Sequence, residues 1–416
     1  MQDRLRRDAQ AMIERIIAEN MPQQSVRQAL EGHAFSGDVY LVAIGKAAWT
    51  MAKTASDILG EQIKEGIVIT KYGHSQGPIA RMEIIEAGHP LADENSIAGT
   101  QKAIKLAERL GKGDELLFLI SGGGSALFEA PRDGISLEDV TALGSRLLAC
   151  GADIVEINTI RKRLSKVKAG RFAEIASPAR VFAVVLSDVL GDRLDSIASG
   201  PVSPDMSTVD DVQKVISKYA LTFSEAQQKY LREETPKSAD NVQAVVIGSV
   251  KTLCRSAAKA AAEMGYTPVI LTTTLSCEAR EAGRFLASIA ADIQSGVSSF
   301  GKPCAIIAGG ETVVHLKGGG LGGRNQELAF SAAKGIAGLE GTLLFSLGSD
   351  GTDGPTDATG GIVTGATMGS LREKNIDFDQ ILAENDCYHG LKAVDGLIIT
   401  GPTGTNVNDV AVLLCR

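Results

Sequence analysis

The chain has 416 residues, which is too long for one ordinary hydrophobic core and predicts two or three domains. Hydrophobic residues make up 44% of the chain and aromatic residues only 4%, so the core must consist largely of Ala, Val, Ile and Leu. The net charge of −8 argues against nucleic acid as the main partner, because binding to a phosphate backbone needs a basic surface.

The N-terminal segment, residues 1–20, is charged and amphipathic, with Met12, Ile13, Ile16 and Ile17 on one helical face. It lacks the apolar core and the small-residue cleavage site of a signal peptide, and no stretch of the chain has the length of a membrane span. The six cysteines are scattered and form no C-x-x-C pair, which is typical of reduced thiols. We therefore expect a cytoplasmic protein.

Short apolar runs alternate with longer amphipathic segments along the chain. The strands expected in the first half are 39–44, 66–70, 116–120 and 181–186, and those in the second half are 242–247, 269–271, 305–308, 313–316, 342–347, 397–400 and 410–414. The main expected helices are 47–59, 96–110, 250–264 and 278–293. Many of the strand runs lack polar alternation, which is typical of parallel sheets covered by helices. The repeated order of strand and helix predicts a doubly wound α/β architecture.

The polar segment 232–241 holds a proline and fits a linker, because a new strand and helix begin directly after it. We place the domain boundary there, which gives domains 1–238 and 239–416. The last strand remains free to return to the first domain.

Two glycine-containing loops of the first half follow expected strands. Lys46 comes after Gly45 where a strand runs into a helix, and the helix N-terminus there favours an anion. The sequence Ser121-Gly122-Gly123-Gly124-Ser125 lets backbone N–H groups and hydroxyls converge on an oxyanion. We predict that both loops bind phosphate or carboxylate. A surface lysine and a plain flexible turn are the alternatives.

Two aspartates, Asp188 and Asp192, follow the strand at 181–186. Both could hold Mg²⁺, which keeps several waters and takes few carboxylates. Asp188 could instead accept a proton from the hydroxyl of a substrate, and it is our candidate for a catalytic carboxylate. Caps of turns or helices are the alternative roles. The five histidines share no metal spacing, and structural or surface roles are expected for most of them.

Glycine-rich loops recur in the second half. The run 318–323 formally matches the dinucleotide fingerprint G-x-G-x-x-G, although it does not open the first strand–helix unit of a domain. Arg324 follows it at the start of a helix, where its planar fork suits a phosphoryl group or a carboxylate. A Walker A sequence is missing, so a nucleotide would need a different glycine-rich surface. The residues that we expect to form that surface are Gly310, Glu311, Asn325, Asp350, Asp353 and Asn406.

Taken together, these loops resemble the D-glycerate 2-kinase family over nearly the whole chain. The resemblance also rests on Gly88-His89-Pro90 with Asp93 and Ser96, on 158–165 and on 197–201. It implies a Rossmann-like N-terminal domain, a C-terminal domain named MOFRL, and an active site in the cleft between them. It also implies phosphorylation of the 2-hydroxyl of D-glycerate by ATP, with Mg²⁺. The key basic residues of the family fall on Lys46 and Arg324, which a closed cleft would bring onto one phosphoryl group.

Two other functions remain open at this stage. Some members of the family have been named hydroxypyruvate reductase, and an NAD(P)H-dependent reductase would need an acidic residue about 20 residues after its dinucleotide turn. Gly318–Gly323 is the sole candidate turn, and no acidic residue clearly fills that position. The other function is a regulator that binds a sugar or a phosphate without turnover. The expected partners are small molecules, glycerate and ATP, and a homodimer is left open.

Overall fold

The computed structural model describes residues 2–416 and divides into two compact units. The first unit is Ser25–Ile247, and the second consists of the segment that ends at Gln24 together with Gly248–Arg416. Each unit is built around a six-stranded sheet. Across residues 2–416, every helix is either too short or too polar to span a lipid bilayer.

The first unit contains a sheet with the strand order β3-β2-β1-β4-β5-β6, in which β1 to β5 run parallel. The strands are β1 Val39–Ile44, β2 Ile63–Lys71, β3 Met82–Ala87, β4 Glu115–Ile120, β5 Arg180–Leu186 and β6 Val242–Gly248. The helices are α2 Pro22–Glu31, α3 Ala48–Leu59, α4 Glu94–Glu108, α5 Gly124–Leu127, α6 Leu137–Ala149, α7 Ile154–Arg161, α8 Arg171–Ala176, α9 Val209–Lys218 and α10 Glu225–Leu231, with 3-10 turns at Gly60–Gln62, Lys162–Leu164 and Ile197–Ser199. This strand order is that of a doubly wound Rossmann-type sheet, so the predicted fold of this unit is confirmed.

The second unit contains a mixed sheet with the strand order β11-β10-β9-β12-β8-β7. Its strands are β7 Thr267–Leu275, β8 Cys304–Gly310, β9 Thr342–Gly348, β10 Gly360–Thr364, β11 Leu397–Ile398 and β12 Asp409–Cys415. Its helices are α1 Gln2–Glu19, α11 Val250–Glu263, α12 Ala279–Ser295, α13 Arg324–Gly335, α14 Thr367–Glu373, α15 Phe378–Ala383 and α16 Cys387–Ala393. The expectation of a second α/β domain is confirmed.

Strand direction in the second unit differs from the sequence prediction. Only β7 and β8 pair in parallel, whereas β12 runs antiparallel to both β8 and β9, and β10 runs antiparallel to β9 and β11. The apolar runs are explained by burial on both faces. Leu344 and Leu413 pack in the same core cluster as α12 and α13, while their sequence neighbours Phe345 and Val412 are also fully buried. An unbroken apolar run therefore reports burial by helices and not strand direction.

The units also differ from the expected boundary at 238/239. Strand β6 adds to the edge of the first sheet, and Val242 and Val246 pack against its core. At the other end of the chain, α1 belongs to the second unit, where Arg15 pairs with Glu263 on α11. The last strand, β12, lies inside the second sheet and does not return to the first unit.

One expected strand, 313–316, is absent from the described structure as a regular element. Val313 forms only an isolated bridge with Glu278, and the backbone then continues into the glycine-rich loop. Leu316 is largely exposed, and within this run only Val314 packs against the core.

Candidate functional site

The carboxyl ends of β1 and β4 lie side by side in the first unit, at the point where the strand order reverses. The loops after these strands are hydrogen-bonded to each other. Lys46 N donates to the backbone oxygen of Gly122 at 2.8 Å, and Ala47 N donates to Ser121 Oγ at 3.1 Å. Gly45 has φ 110°, and a Cβ on it would lie 2.3 Å from Ser121 Oγ. Only glycine permits this approach, and ligands of doubly wound sheets bind at such a switch point.

The side chains of Lys46 and His89 flank Gly123. A Cβ on Gly123 would lie 2.9 Å from Cδ2 of His89 and 3.4 Å from Cγ of Lys46, and its φ of 86° is left-handed. Gly124 then begins the short helix α5, where a Cβ would lie 2.8 Å from that of Ala198. The structure thus brings together Lys46 and the loop Ser121–Ser125, the two parts of the candidate anion site in this unit.

Positive charge gathers around His89. Burial, together with the nearby charges of Lys46, Lys71 and His74, lowers the pKa of His89 to about 4. The imidazole is therefore neutral at pH 7, and the cations around it create a local positive potential that favours an anionic ligand. No role in a kinase reaction was predicted for His89 from the sequence. Its place beside Pro90 in a family motif was the only signal in the sequence.

Ser199 extends the site on the far side of α5. Its Oγ lies 3.0 Å from Ser125 Oγ and 3.5 Å from Oδ1 of Asn158. Both Ala198 and Ser199 have left-handed φ angles, 51° and 61°, which are costly for residues with a side chain. The hydrogen bond from Ala169 N to the backbone oxygen of Ser199, 3.1 Å long, helps to hold this segment. Asn158 and Ser199 were missed as site residues although both lie in family motifs.

A fully buried ion pair stabilises the loop that contains Ser125. Lys168 Nζ donates to the backbone oxygens of Ser125 at 2.7 Å and Phe128 at 3.2 Å, and it lies 3.3 Å from Oε2 of Glu129. Burial lowers the pKa of Lys168, whereas the charge of Glu129 acts in the opposite direction. The ammonium group therefore fixes carbonyl groups at the start and the end of α5.

The two aspartates proposed as metal ligands follow β5, which neighbours β4 in the sheet. Asp188 is partly buried directly after Ser187, and Asp192 lies in a turn with φ 57°. Within residues 2–416 the structure gathers no group of three or more His, Cys, Asp or Glu side chains that could hold a metal ion. A protein cage is thus not formed. One or two carboxylates at this edge fit Mg²⁺, which usually keeps several waters and binds substrate phosphates.

The second unit places Arg324 at the first turn of α13, between two carboxylates. Its Nε and Nη2 donate to the two oxygens of Asp409 at 2.6 and 3.0 Å, and Nη1 donates to Glu311 at 3.0 Å. The Asp409 side chain is 9% exposed and that of Glu311 is 46% exposed. Burial raises the pKa of Asp409 to about 6, although Arg324 opposes that shift.

The strands of the second sheet bring several predicted nucleotide-binding residues to one edge. Asp409 is paired with Gly310 on one side and Gly348 on the other. Glu311 directly follows Gly310 at this edge. Asp350 and Asn406 lie in loops that follow Gly348 and precede Asp409, respectively.

The two loops that hold Asp350 and Asn406 are hydrogen-bonded to each other. Thr403 N donates to the backbone oxygen of Asp350 at 3.3 Å, and Val407 N donates to Ser349 Oγ at 2.8 Å. The carboxylate of Asp350 accepts from Thr352 N at 3.1 Å, so it also shapes its own loop. Asn406 remains partly exposed.

Asn325 and Asp353, which we predict to bind the nucleotide, are buried and support the start of α13. The carboxylate of Asp353 accepts from the backbone N–H groups of Asn325 at 3.1 Å and Gln326 at 2.8 Å. Asn325 Oδ1 accepts from Ser346 Oγ at 2.6 Å. Burial raises the pKa of Asp353, and these donors oppose the shift. Both side chains therefore fix the start of the helix that carries Arg324.

The glycine-rich run Gly318–Gly323 packs against the segment Glu384–Cys387. Gly320 N donates to the backbone oxygen of Glu384 at 2.8 Å, and a Cβ on Gly318 would lie 2.3 Å from the Cα of that residue. The glycines thus allow two backbone segments to approach closely. The run also does not follow a strand directly, so it does not build the dinucleotide turn that a reductase would need.

Comparison with known proteins finds one family match in each half of the chain. A domain of unknown function, DUF4147, matches residues 8–232, and the MOFRL family matches residues 304–409. The D-glycerate 2-kinase of Thermotoga maritima is 52% identical over 408 residues, which are 98% of each chain. A relative from Agrobacterium vitis is 39% identical over 91% of this chain and 99% of its own, and it carries a provisional name for a hydroxypyruvate reductase.

A solved structure is similar over the full length. The crystal structure of the glycerate kinase from Thermotoga maritima matches with a TM-score of 0.97 at 52% identity, and the match covers 100% of both chains. The similarity in sequence and that in fold therefore extend over the same residues.

Proposed function

Because the chain belongs to the D-glycerate 2-kinase family, we propose that it transfers a phosphoryl group from ATP to the 2-hydroxyl of D-glycerate. The observation that carries the proposal is the position of Lys46, His89 and the loop Ser121–Ser125 at the carboxyl ends of β1 and β4. Phosphoryl transfer depends on positioning and on charge neutralisation more than on covalent chemistry. A positive site lined by backbone N–H groups supplies both.

Lys46 is the cation that we assign to the transferred phosphoryl group in the first unit. Its backbone is fixed by Gly122, and its side chain lies against Gly123. The hydroxyl of Ser125 and the backbone of the loop would hold the oxygens of the substrate. His89 stays neutral beside them, so it can donate or accept a hydrogen bond without adding a charge.

Arg324 is the basic residue that we assign to the same reaction in the second unit. Asp409 holds its Nε and Nη2, which fixes the plane of the guanidinium group. Glu311 is the more exposed of its two partners and holds only Nη1. We propose that a phosphate replaces Glu311 at Nη1 while Asp409 keeps the group oriented.

Mg²⁺ bound to the nucleotide phosphates would neutralise part of their charge. Asp188 is the residue of this chain that we assign either to that ion or to the proton of the 2-hydroxyl. The carboxyl edge of the first sheet, where β5 lies next to β4, supports both roles. Exchange of Asp188 for Asn separates the two roles, since only the metal role predicts a higher Mg²⁺ requirement at unchanged pH dependence.

The main experiment is an assay of ADP release with D-glycerate, related hydroxy acids and Mg²⁺, with phosphorus NMR of the product. We expect 2-phosphoglycerate from D-glycerate. The proposal fails if the protein consumes no ATP with D-glycerate but oxidises NADH or NADPH with hydroxypyruvate. That second activity would need a dinucleotide turn that the packing of Gly318–Gly323 does not support.

The charge and the cysteines support the remaining expectations. A net charge of −8 suits small-molecule substrates better than a nucleic acid. Each of the six cysteines is free, which is typical of a reducing compartment, so we propose the cytoplasm as the place of the reaction.

A further inference from the structure

Three consecutive basic residues, Arg161, Lys162 and Arg163, end α7 and begin the following 3-10 turn, and they differ in their partners. Lys162 Nζ lies 3.4 Å from Asp205, and Arg163 lies 3.8 Å from Asp205 and 3.5 Å from Glu234. For Arg161, by contrast, the structure of residues 2–416 shows neither an ion pair nor a hydrogen bond of the side chain, and its buried Nε lacks a partner.

The guanidinium group of Arg161 is also accessible. The residue is partly buried. Of its three guanidinium nitrogens, only Nε is both buried and without a hydrogen-bond partner. The two terminal nitrogens therefore reach solvent. A cation with a desolvated stem and an open fork, and with no carboxylate beside it, has the form of a binding group for a planar anion.

Two observations place Arg161 beside the candidate anion site of the first unit. Asn158 stands three residues earlier on α7, hence on the same helical face, and contacts Ser199. Ser199 in turn contacts Ser125. Burial lowers the pKa of Lys168, and the positive charge of Arg161 adds to that shift, so Arg161 is close to the ammonium group that holds the Ser125 carbonyl.

We propose that Arg161 binds the carboxylate of the hydroxy acid and makes the enzyme select hydroxy acids over uncharged polyols. This inference rests on the proposed function, because it assigns one group of the same substrate. The carboxylate carbon of a 2-hydroxy acid is bonded to the carbon that bears the reacting hydroxyl. A fork that holds both carboxylate oxygens would therefore fix that hydroxyl beside the Ser125 and Ser199 hydroxyls.

The first test uses the unmodified enzyme. Phenylglyoxal modifies accessible arginines, and peptide mass spectrometry gives the rate at each one. We expect D-glycerate to slow the modification of Arg161 several-fold, while ATP with Mg²⁺ leaves the rate unchanged. Equal rates with and without D-glycerate would overturn the proposal. Protection by D-glycerate without any ADP release would instead support the carboxylate site and refute the kinase function, so the two failures can be told apart.

The second test exchanges Arg161 for Met and for Lys. For Arg161→Met we expect the KM of D-glycerate to rise on the order of 10- to 100-fold, since a hydrogen-bonded charge pair is lost. The KM of ATP should stay within about twofold, and Arg161→Lys should give an intermediate KM because it keeps the charge without the fork. Arg146→Met on the exposed side of α6 is the matched control, with an unchanged KM expected.

The kinetic test also shows whether Arg161 binds D-glycerate or ATP. A rise in the KM of ATP equal to that of D-glycerate would assign Arg161 to the nucleotide and overturn the proposal. An unchanged KM of D-glycerate in Arg161→Met would overturn it as well. If Arg161→Met does not fold, the Lys variant and the protection of the unmodified enzyme still decide the question.

Discussion

Lys46 illustrates how one side chain acquires a role from its backbone. Gly45 and Ser121 bring its strand end against the next loop, so its side chain lies beside Gly123 and a neutral histidine. The candidate anion site is therefore formed by the two loops together and not by the lysine alone.

Exchange of Lys46 for Met should lower kcat at least on the order of 100-fold, because a cation that meets charge formed in the transition state is lost. The melting temperature should change little, since Lys46 is only partly buried. Lys53→Met on α3, where the lysine pairs with Asp57 at the surface, is the control and should retain activity. Near-normal turnover of Lys46→Met would remove the residue from the mechanism.

Gly123 should tolerate no side chain. Gly123→Ala places a methyl group at φ 86° and within 2.9 Å of His89, so we expect a loss of about 1–3 kcal/mol in the free energy of unfolding and a large loss of activity. Gly144→Ala in α6 meets open space, and it should stabilise the protein by about 0.5–1 kcal/mol. Urea unfolding of both variants measures the difference. Equal effects in the two would show that the Gly123 contact with His89 is unimportant.

His89 should make stability depend on pH in acid. Its pKa in the folded protein, about 4, lies below the ordinary value of 6.5, so between these values the unfolded chain binds more protons than the folded one. The contribution of neutral His89 to the free energy of unfolding is therefore complete above pH 6.5 and is lost as the pH falls through 4. Melting temperatures of the parent and of His89→Gln, measured from pH 7 to pH 4, should converge toward low pH. Parallel curves would contradict the assignment.

At the scale of elements, α13 depends on a carboxylate from a distant loop. Asp353 accepts the first backbone N–H groups of the helix and is buried, so Asp353→Ala leaves these donors without a partner. We expect a loss of about 2 kcal/mol in the free energy of unfolding, and lower activity because Arg324 loses its position. Asp377→Ala removes the exposed cap of α15 and should cost about 1 kcal/mol without a change in kcat. Similar kinetics of the two variants would refute the positioning role of Asp353.

The sheet of the first unit was predictable, because the order of its strands and helices and the burial of its strands both indicate a doubly wound topology. Strand–helix alternation and continuous apolar runs lead to the doubly wound topology, and the loops at Lys46 and Ser121 follow from it. The mixed sheet of the second unit could not be predicted, because helices bury antiparallel strands such as β9 and β12 as completely as parallel strands.

Contacts between residues far apart in the chain determine the surroundings of several candidate residues, and the sequence does not show these contacts. Nothing local to Asp353 shows that its carboxylate meets the start of α13, and nothing local to Arg161 shows that it lacks a counterion while Arg163 has two. His89 was underrated for the same reason, since its charged neighbours come from other loops.

At the scale of the whole molecule, the division into units can be tested with fragments. The fragment 25–247 keeps β6, whereas 25–238 lacks it and exposes the edge of β5 together with the core that Val242 and Val246 cover. We expect the longer fragment to unfold cooperatively and the shorter one to be clearly less stable in thermal unfolding by circular dichroism. Identical unfolding curves would place the boundary at 238 after all.

Helix α1 precedes the first unit in the chain, whereas the segments that it pairs with follow that unit. Asp8 contacts Tyr266 at 2.7 Å and Arg416 at 3.4 Å, and these partners follow it in the chain by 258 and 408 residues. At about 5–20 residues per second, Arg416 is synthesised roughly 20–80 s after Asp8. Meanwhile Ser25–Ile247 has emerged in full and can fold. The first unit is therefore an insertion in the second, and the second unit is completed only after the whole of the first has been synthesised.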